Sequence, residues 1–230
     1  VLDVGSLAIS FSFSPSLMAH GRLLFALPYT RPTFSRYAKY VLMSDTWPKS
    51  GQVTLKPFTD GLTEEEWRRF YECFRDPEIA EWNGSRPLKM PVWLFKRVVM
   101  GEVSRGDRLG FGILDEKGEW LGTVELYELT RTEATLGILI GAKERWGQGY
   151  GSDAVKAVLA YAFTKMGLRK VKLRTYKHNL RAQRAFEKAG FRFVPTSQTA
   201  PRFNFGLNPK PEFVPMEITK EQWEGYKGSG

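Results

Sequence analysis

One stretch of the chain combines residue types and spacing that suit ligand binding: Arg145 to Ser152, which reads RWGQGYGS. Its three alternate glycines allow backbone conformations that a Cβ would forbid, and they let the backbone approach a ligand closely. An apolar run of strand length, Ala134 to Ile140, precedes the stretch, and apolar residues recur at helical spacing from Val155 to Met166. The first turn of such a helix offers unpaired N–H groups and the positive end of a dipole, so we predict a phosphate-binding turn.

Two common phosphate-binding patterns do not account for this turn. Gly149 to Ala154 fits the dinucleotide pattern G-x-G-x-x-A, but that pattern requires its first glycine directly after the strand and an acid at the end of the next strand. Eight residues separate Ile140 from Gly149, and the next strand candidate, Lys170 to Tyr176, ends without an acid. The P-loop pattern G-x-x-x-x-G-K-S/T is absent. The sequence therefore does not support dinucleotide binding or nucleotide triphosphate chemistry.

The turn resembles the acetyl-CoA signature of the GNAT N-acetyltransferase superfamily, Q/R-x-x-G-x-G/A. Here Trp146 stands where the general motif has Gln or Arg. The form Y-W-G-x-G-Y-G is common in the RimJ/RimL-like branch, which acetylates ribosomal-protein N-termini, and Arg145 replaces its Tyr. The resemblance covers roughly residues 51 to 223. It continues through three further motifs: Asn179-Leu180-Arg181-Ala182, Phe186-Glu187-Lys188-Ala189-Gly190-Phe191 and Met216-Glu217-Ile218-Thr219.

The resemblance implies an α/β (α+β) GNAT fold. This is a mixed, mostly antiparallel sheet of six to seven strands, splayed between strands 4 and 5, with about four helices on both faces. The hydrophobic patterns of the chain agree with it, because they predict strands at 52–57, 108–114, 119–129, 133–140, 170–176, 191–196 and 213–219. Since a helix separates 133–140 from 170–176, these two strands should pair in parallel.

The first helix carries clear start and stop signals. Thr63 fits the N-cap, Glu66 fits the reciprocal position of a capping box, and Pro77 should end the helix. A loop over 78–91 and a second helix over 92–103 are predicted to follow. In the superfamily these two helices and their connection form one wall of the acceptor site.

The resemblance also implies the residues that contact acetyl-CoA. Ile138, Leu139 and Ile140 would pair with the pantetheine arm, and an N–H near Leu139 or Ile140 would polarise the thioester oxygen. Asn179 would contact pantetheine or only cap its helix, and Phe186 stands where many relatives carry Tyr. Backbone N–H groups from Trp146 to Ser152 would bind the diphosphate, while Arg145 adds charge or is simply solvated. The turn residues assigned to CoA are Arg145, Trp146, Gly147, Gln148, Gly149, Tyr150, Gly151 and Ser152.

The groups that move protons are less clearly indicated. Acetyl transfer from a thioester to an amine needs a deprotonated amine and a proton for the thiolate. Phe186 cannot supply that proton, and Thr135 stands where many relatives have Glu. Glu133 shares the strand face of Thr135, and two further candidates lie on the neighbouring strand. The candidate catalytic residues, acting through water, are Glu125, Glu133 and Tyr127, and a plain surface role competes for each.

Composition narrows the class of protein. With 230 residues, 42% of them apolar, the chain can bury one substantial core. Its one cysteine, Cys73, excludes a disulfide framework and fits a reducing compartment, so we expect a cytoplasmic protein. No apolar run approaches the length of a membrane span, so we expect none. Cys73 should be a small buried residue rather than a nucleophile. The net charge of +9 favours polyanions such as CoA, but no dense Lys/Arg block marks a nucleic-acid site. No metal is predicted.

The N-terminal stretch, residues 1–50, differs from the rest of the chain. Between Asp3 and Asp45 it has no acidic residue, and Ser, Phe and Pro recur without a helical or strand period. Three interpretations of this stretch are open: a targeting segment, an upstream extension outside the working enzyme, or a structural segment. We expect it to be poorly packed or to lie on the surface. We expect the GNAT domain over 51–223 and a flexible tail over 224–230.

Two functional hypotheses follow. The first is an acetyl-CoA-dependent N-acetyltransferase that acts, by direct attack on the thioester, on a protein N-terminus, a polyamine or an aminoglycoside. The second is a CoA-binding sensor or partner protein with weakened catalysis, suggested by Phe186 and Thr135. The loops 78–91 and 197–212 should select the acceptor. A homodimer is possible, because relatives are often dimers.

Overall fold

The computed structural model describes residues 46–83, 86–195 and 212–227. They form an eight-stranded sheet with the strand order β1-β2-β3-β4-β5-β6-β8-β7. The strands are β1 (Lys49–Ser50), β2 (Val53–Pro57), β3 (Arg108–Leu114), β4 (Trp120–Tyr127), β5 (Glu133–Ile140), β6 (Lys170–Tyr176), β7 (Arg192–Phe193) and β8 (Phe213–Thr219). The α-helices in these ranges are α1 (Glu64–Arg75), α2 (Pro77–Trp82), α3 (Val92–Arg105), α4 (Tyr150–Thr164), α5 (Leu180–Glu187) and α6 (Lys220–Lys227).

The sheet opens between β5 and β6. These two strands pair in parallel, as predicted, while every other neighbouring pair is antiparallel. Their pairing joins only residues 133–135 to residues 170–172, although the strands continue to Ile140 and Tyr176. Beyond Thr135 the two strands therefore separate, and the predicted splay is confirmed.

The counts of strands and helices exceed those expected from the sequence. The sheet has eight strands rather than six to seven, because residues 49–50 add the short strand β1 to β2 across a turn at Gly51. There are six α-helices in the described ranges rather than about four. Helix α6 runs to Lys227, into the stretch expected to be a tail, and its Trp223 is buried. Residues 1–45 and 196–211, which include most of the predicted extension and of the second acceptor loop, lie outside the described residues.

Helix α2 lies inside the stretch that the sequence predicts as a loop. The capping box of Thr63 and Glu66 starts α1 as predicted, and α1 ends before Pro77. Asp76 then caps the next helix, because its Oδ1 accepts from the backbone N–H groups of Glu78 and Ile79 at 2.9 and 3.1 Å. Proline is favoured at the first helical position, so the residue that ends one helix also begins another.

Apolar side chains bury both faces of the sheet. On one face α4 packs on the central strands, with Val155, Val158 and Phe163 fully buried. On the other face α1 and α3 supply a dense aromatic cluster in which the Phe70 and Phe95 rings lie 5.1 Å apart. The sheet, including β5, thus lies between two packed helix layers.

Candidate active site

The glycine turn between β5 and α4 has two residues in the left-handed region and is open on its outer side. Gly147 and Gly149 have φ of 82° and 96°, in the left-handed region that favours glycine. A Cβ at Gly147 would meet no atom within 4 Å, and one at Gly151 would lie 3.8 Å from Cγ1 of Ile140. A ligand can therefore approach the backbone of this turn without displacing a side chain.

Most of the backbone N–H groups of the turn are available to a ligand. Those of Trp146 and Gln148 donate within the turn, to the carbonyls of Lys143 and Arg145 at 3.1 and 3.4 Å. The remaining N–H groups have no acceptor in the described part of the chain; they belong to Gly147, Gly149, Tyr150, Gly151 and Ser152. Because they cluster at the N-terminus of α4, they form a suitable site for an anion.

The charge of Arg145 is compensated inside the protein. Its Nη2 lies 3.4 Å from Oδ2 of Asp115 and 3.7 Å from Oε2 of Glu119, both at the β3–β4 hairpin. Its guanidinium also lies over the Tyr150 ring, 5.6 Å from the centroid. These contacts make Arg145 an anchor between the turn and the hairpin, and the sequence alone did not indicate them.

Two further contacts hold the turn in place. The Gln52 side chain donates to the Gln148 carbonyl at 3.3 Å, and the Gln52 N–H donates to Oδ2 of Asp153 at 3.1 Å. On the other side, Oγ of Ser152 donates to the Ala185 carbonyl of α5 at 3.4 Å. Sequence reasoning missed Gln52 and Asp153, although an acid in the first turn of a helix is a favoured arrangement.

The alternation of backbone groups along β5 shows which ones face the opening of the sheet. The Gly141 N–H donates to the Leu121 carbonyl, on the β4 side, at 2.8 Å. The Trp146 indole N–H donates to the Ile140 carbonyl at 2.9 Å, on the opposite side. Since successive residues in a strand alternate in direction, the N–H and C=O groups of Ile138 and Ile140 face the opening, and those of Leu139 face β4.

Helix α5 borders the opening from the β6 side. The Asn179 side-chain oxygen accepts from the Ala182 N–H at 3.1 Å, so the predicted capping is confirmed. The amide nitrogen of Asn179 makes no hydrogen bond to any described residue. Phe186 is buried in the core with its ring 6.0 Å from that of Phe191, so it has a packing role there.

Glu125 belongs to a buried ion-pair group. The guanidinium of Arg108 bonds to Glu125 and, at 2.7 Å, to Glu102, and all three side chains are buried. Burial raises the pKa of Glu125 to about 7 against the opposing effect of Arg108, and it raises the pKa of Glu102 as well. One guanidinium thus faces two carboxylates in a group that is closed to solvent.

Glu133 and Tyr127 lie where β5 is still paired with β6, because Glu133 pairs with Lys170 and Tyr127 lies opposite Thr135. The Glu133 carboxylate accepts from Nζ of Lys172 at 2.5 Å, and this bond lowers the pKa of Glu133. Tyr127 is partly buried, with Cε1 3.2 Å from where a Cβ of Gly137 would stand. The absence of a side chain at Gly137 therefore leaves room for the Tyr127 ring beside β5.

A carboxylate that sequence reasoning missed reaches the same point. Glu128 has φ of 51°, the only positive value for a non-glycine residue in the described ranges. Its Oε2 accepts from Oγ1 of Thr135 at 2.6 Å, and Thr135 is the last residue of β5 paired with β6. No sequence signal could have found Glu128, because its position depends on a left-handed turn after β4 that is rare for glutamate.

An aromatic and cationic cluster spans the end of the opening. The Arg181 guanidinium lies 3.8 Å from the Trp146 ring centroid and 5.2 Å from that of Trp82, the last residue of α2. The Trp82 ring is 5.8 Å from that of His178, which stacks on Tyr176 of β6. Helix α2 therefore contributes directly to this region, whereas Trp93 of α3 is 62% exposed.

Cys73 is a buried free cysteine, away from solvent. It is buried in α1, its Sγ donates to the Arg69 carbonyl at 3.0 Å, and burial raises the pKa of its thiol to about 12. The predicted burial of Cys73 is confirmed, and the thiolate is disfavoured. In the described ranges, no group of three or more His, Cys, Asp or Glu is placed to bind a metal ion, and no helix has the length and apolar character to cross a bilayer.

Comparison with known proteins agrees with this geometry. A family model described as "Acetyltransferase (GNAT) domain" matches residues 53–192. The chain is 28% identical over 160 residues to human alpha/beta-tubulin-N-acetyltransferase 9, covering 64% of this chain and 75% of that one. It is 24% identical over 136 residues to the uncharacterized N-acetyltransferase YoaA of Bacillus subtilis, covering 56% of this chain and 76% of that one.

The fold is shared with solved acetyltransferase structures. Spermidine N-acetyltransferase from Vibrio cholerae, in complex with CoA and spermine, has a TM-score of 0.64 at 21% identity, over 75% of this chain and 98% of that chain. A GNAT-family acetyltransferase from Bacillus anthracis has a TM-score of 0.61 at 15% identity, over 76% and 99%. The family match covers more than half of the chain and includes the splayed strands and the glycine turn. The chain therefore belongs to the GNAT family of N-acetyltransferases.

Proposed function

We propose that this protein transfers the acetyl group of acetyl-CoA to a primary amine, by direct attack of the amine nitrogen on the thioester carbonyl. The observation that carries the proposal is the open edge of β5 beyond Thr135, beside a helix N-terminus with five available N–H groups. The residues suit the co-substrate, because a diphosphate fits the N–H cluster and an amide-containing arm fits a free strand edge.

In this proposal the chain holds acetyl-CoA along the opening. The diphosphate binds the available N–H groups at the start of α4, and the pantetheine arm pairs with the groups of Ile138 and Ile140 that face away from β4. The Asn179 amide nitrogen donates to the same arm. The N–H of Ile138 or Ile140 then stabilises the negative charge that develops on the thioester oxygen. Leu139, which sequence reasoning also considered for this role, directs its N–H toward β4.

We assign the removal of the amine proton to Glu128, acting through water. The nitrogen forms its bond to the carbonyl carbon, the carbon–sulfur bond breaks, and the proton passes through water to the Glu128 carboxylate. Thr135 orients that carboxylate through the bond of 2.6 Å. Glu133 and Tyr127 remain possible partners on the same face, whereas the Arg108 pairing argues against Glu125. Phe186 cannot protonate the thiolate, so the thiolate leaves and takes its proton from water.

The acceptor class is the finer part of the proposal. The names of similar proteins include a tubulin N-acetyltransferase and a spermidine N-acetyltransferase, and both imply amines that are cationic before they react. The Glu128 carboxylate reaches the last paired residue before β5 and β6 separate and would attract such a cation. We therefore propose that the acceptor is a protein N-terminus, as in the RimJ/RimL-like branch, or a polyamine. An aminoglycoside is the third candidate acceptor. A cytoplasmic setting and a homodimer are also part of the proposal.

Thiol release from acetyl-CoA, measured with a panel of N-terminal peptides, polyamines and aminoglycosides, tests the function. We expect one amine class to accelerate release above the hydrolysis background. Gly149→Val should abolish the acceleration, because a branched side chain is strained at φ of 96° and would intrude where the diphosphate binds. If CoA binds but no amine accelerates release, the protein is a CoA-binding sensor or partner rather than an active transferase.

A further inference from the structure

Arg181 is a second cation beside the glycine turn, and it differs from Arg145 in its partners. Arg145 contacts two carboxylates, whereas Arg181 forms no ion pair with any described residue. Glu78 is close enough to Arg181 for its negative charge to act on the guanidinium. Its carboxylate, however, forms its ion pair with Nζ of Lys143, at 2.7 Å, and not with Arg181. Arg181 is also exposed, so an anion can reach it.

Two tryptophans fix the position of the Arg181 guanidinium. It lies 3.8 Å from the ring centroid of Trp146 and 5.2 Å from that of Trp82. The Trp146 ring is itself held by its indole bond to the Ile140 carbonyl, and the residue after it, Gly147, carries the first available N–H of the turn. A guanidinium that stacks on aromatic rings keeps its N–H groups free at its edge.

We propose that Arg181 is the cation that binds the diphosphate of CoA, acting together with the N–H groups of the turn. This inference rests on the proposed function, and it moves that role from Arg145 to a residue on the first turn of α5. Trp82 and Trp146 hold the guanidinium in the orientation that binds two phosphate oxygens. The role is one of binding and not of proton transfer, so it predicts a loss of affinity rather than of intrinsic reactivity.

The test measures the affinities of three ligands for Arg181→Gln by calorimetry, or by inhibition of thiol release where binding is weak. CoA carries the diphosphate and a 3′-phosphate, 3′-dephospho-CoA carries only the diphosphate, and pantetheine carries no phosphate. Arg184→Gln is the matched control, because Arg184 is an exposed arginine on the same helix. A second variant, Arg181→Lys, keeps the charge but loses the planar stacked group.

We expect Arg181→Gln to bind CoA and 3′-dephospho-CoA about 10- to 100-fold more weakly than the wild type, as for a lost charge-assisted bond, with pantetheine unchanged. The affinity of Arg181→Lys for both phosphate-containing ligands should lie between those of Arg181→Gln and the wild type. Arg184→Gln should bind them as tightly as the wild type. Equal affinity of Arg181→Gln and wild type for CoA would overturn the inference. So would a loss confined to CoA, which would assign Arg181 to the 3′-phosphate, or an equal loss for pantetheine. Failure of the wild type to bind CoA would instead refute the proposed function.

Discussion

The buried group of Glu102, Arg108 and Glu125 should make the stability of the fold depend on pH in a defined direction. With both carboxylates ionised the group carries one uncompensated negative charge, so one proton is held more tightly in the folded state than in the unfolded state. The pKa of Glu125 rises from its ordinary value of 4.5 to about 7 on folding because its side chain is buried. The free energy of unfolding should therefore fall as the pH rises from about 4.5 to about 7.

The size of the effect follows from the pKa values. Between pH 4.5 and 7 the folded state binds more protons than the unfolded state, so the free energy of unfolding decreases with rising pH. One pKa unit corresponds to about 1.4 kcal/mol, so the shift amounts to about 3 kcal/mol, most of which should be lost between pH 5 and pH 8. Glu125→Gln keeps the shape of the side chain and leaves Arg108 with one carboxylate, so it should remove most of this dependence.

Urea unfolding followed by tryptophan fluorescence, at pH values from 5 to 8, measures the effect. The wild type should lose stability relative to Glu125→Gln as the pH rises. Glu116→Gln, which changes an exposed carboxylate in the β3–β4 hairpin, is the control and should follow the wild type. Parallel pH profiles for Glu125→Gln and the wild type would refute the reasoning. Turnover retained in Glu125→Gln would support a structural role, whereas its loss would return Glu125 to the catalytic candidates.

Two other predictions concern the opening and the cysteine. Glu128→Gln should lower kcat about 100-fold or more, as for a lost general base, while leaving the affinity for CoA unchanged. Thr135→Val should give a smaller loss of kcat in the same assay. An unchanged kcat in Glu128→Gln would exclude this carboxylate as the base. In the native protein Cys73 should react with a thiol reagent only as fast as the protein unfolds globally or locally, and it should react much faster in urea. Cys73→Ala should retain turnover. Rapid labelling of the native protein would contradict the burial of the thiol.

Local signals in the sequence predicted those parts of the fold that depend on local structure. The capping box at Thr63, the N-cap at Asn179 and the glycine turn before α4 each follow from contacts between residues close in the chain. The short strand β1 was missed because two residues carry no periodic pattern. Helix α2 was missed because Pro77 was interpreted only as the end of α1, although Asp76 before it is an equally good start signal.

The partners of side chains at the site depend on contacts distant in the sequence and could not be predicted in the same way. The sequence places Arg145 in the turn, but the carboxylates beside it come from a hairpin about 30 residues earlier, and Arg181 reaches Trp146 of the turn from a helix about 30 residues later. The pairing of β3 with β4 places Arg108 beside Glu125, and the packing of α3 on these strands adds Glu102. Glu128 reaches Thr135 through a backbone conformation that residue type disfavours.

Hydrogen exchange of individual amides in β5, measured by NMR with and without CoA, tests the central claim most directly. The claim is that CoA binds along the edge of β5 that β6 leaves free. We predict that CoA slows the exchange of the Ile138 and Ile140 amides and of the five available amides of the glycine turn, while the Leu139 amide, which faces β4, changes little. Binding of CoA with no added protection at Ile138, Ile140 or the turn would contradict the claim.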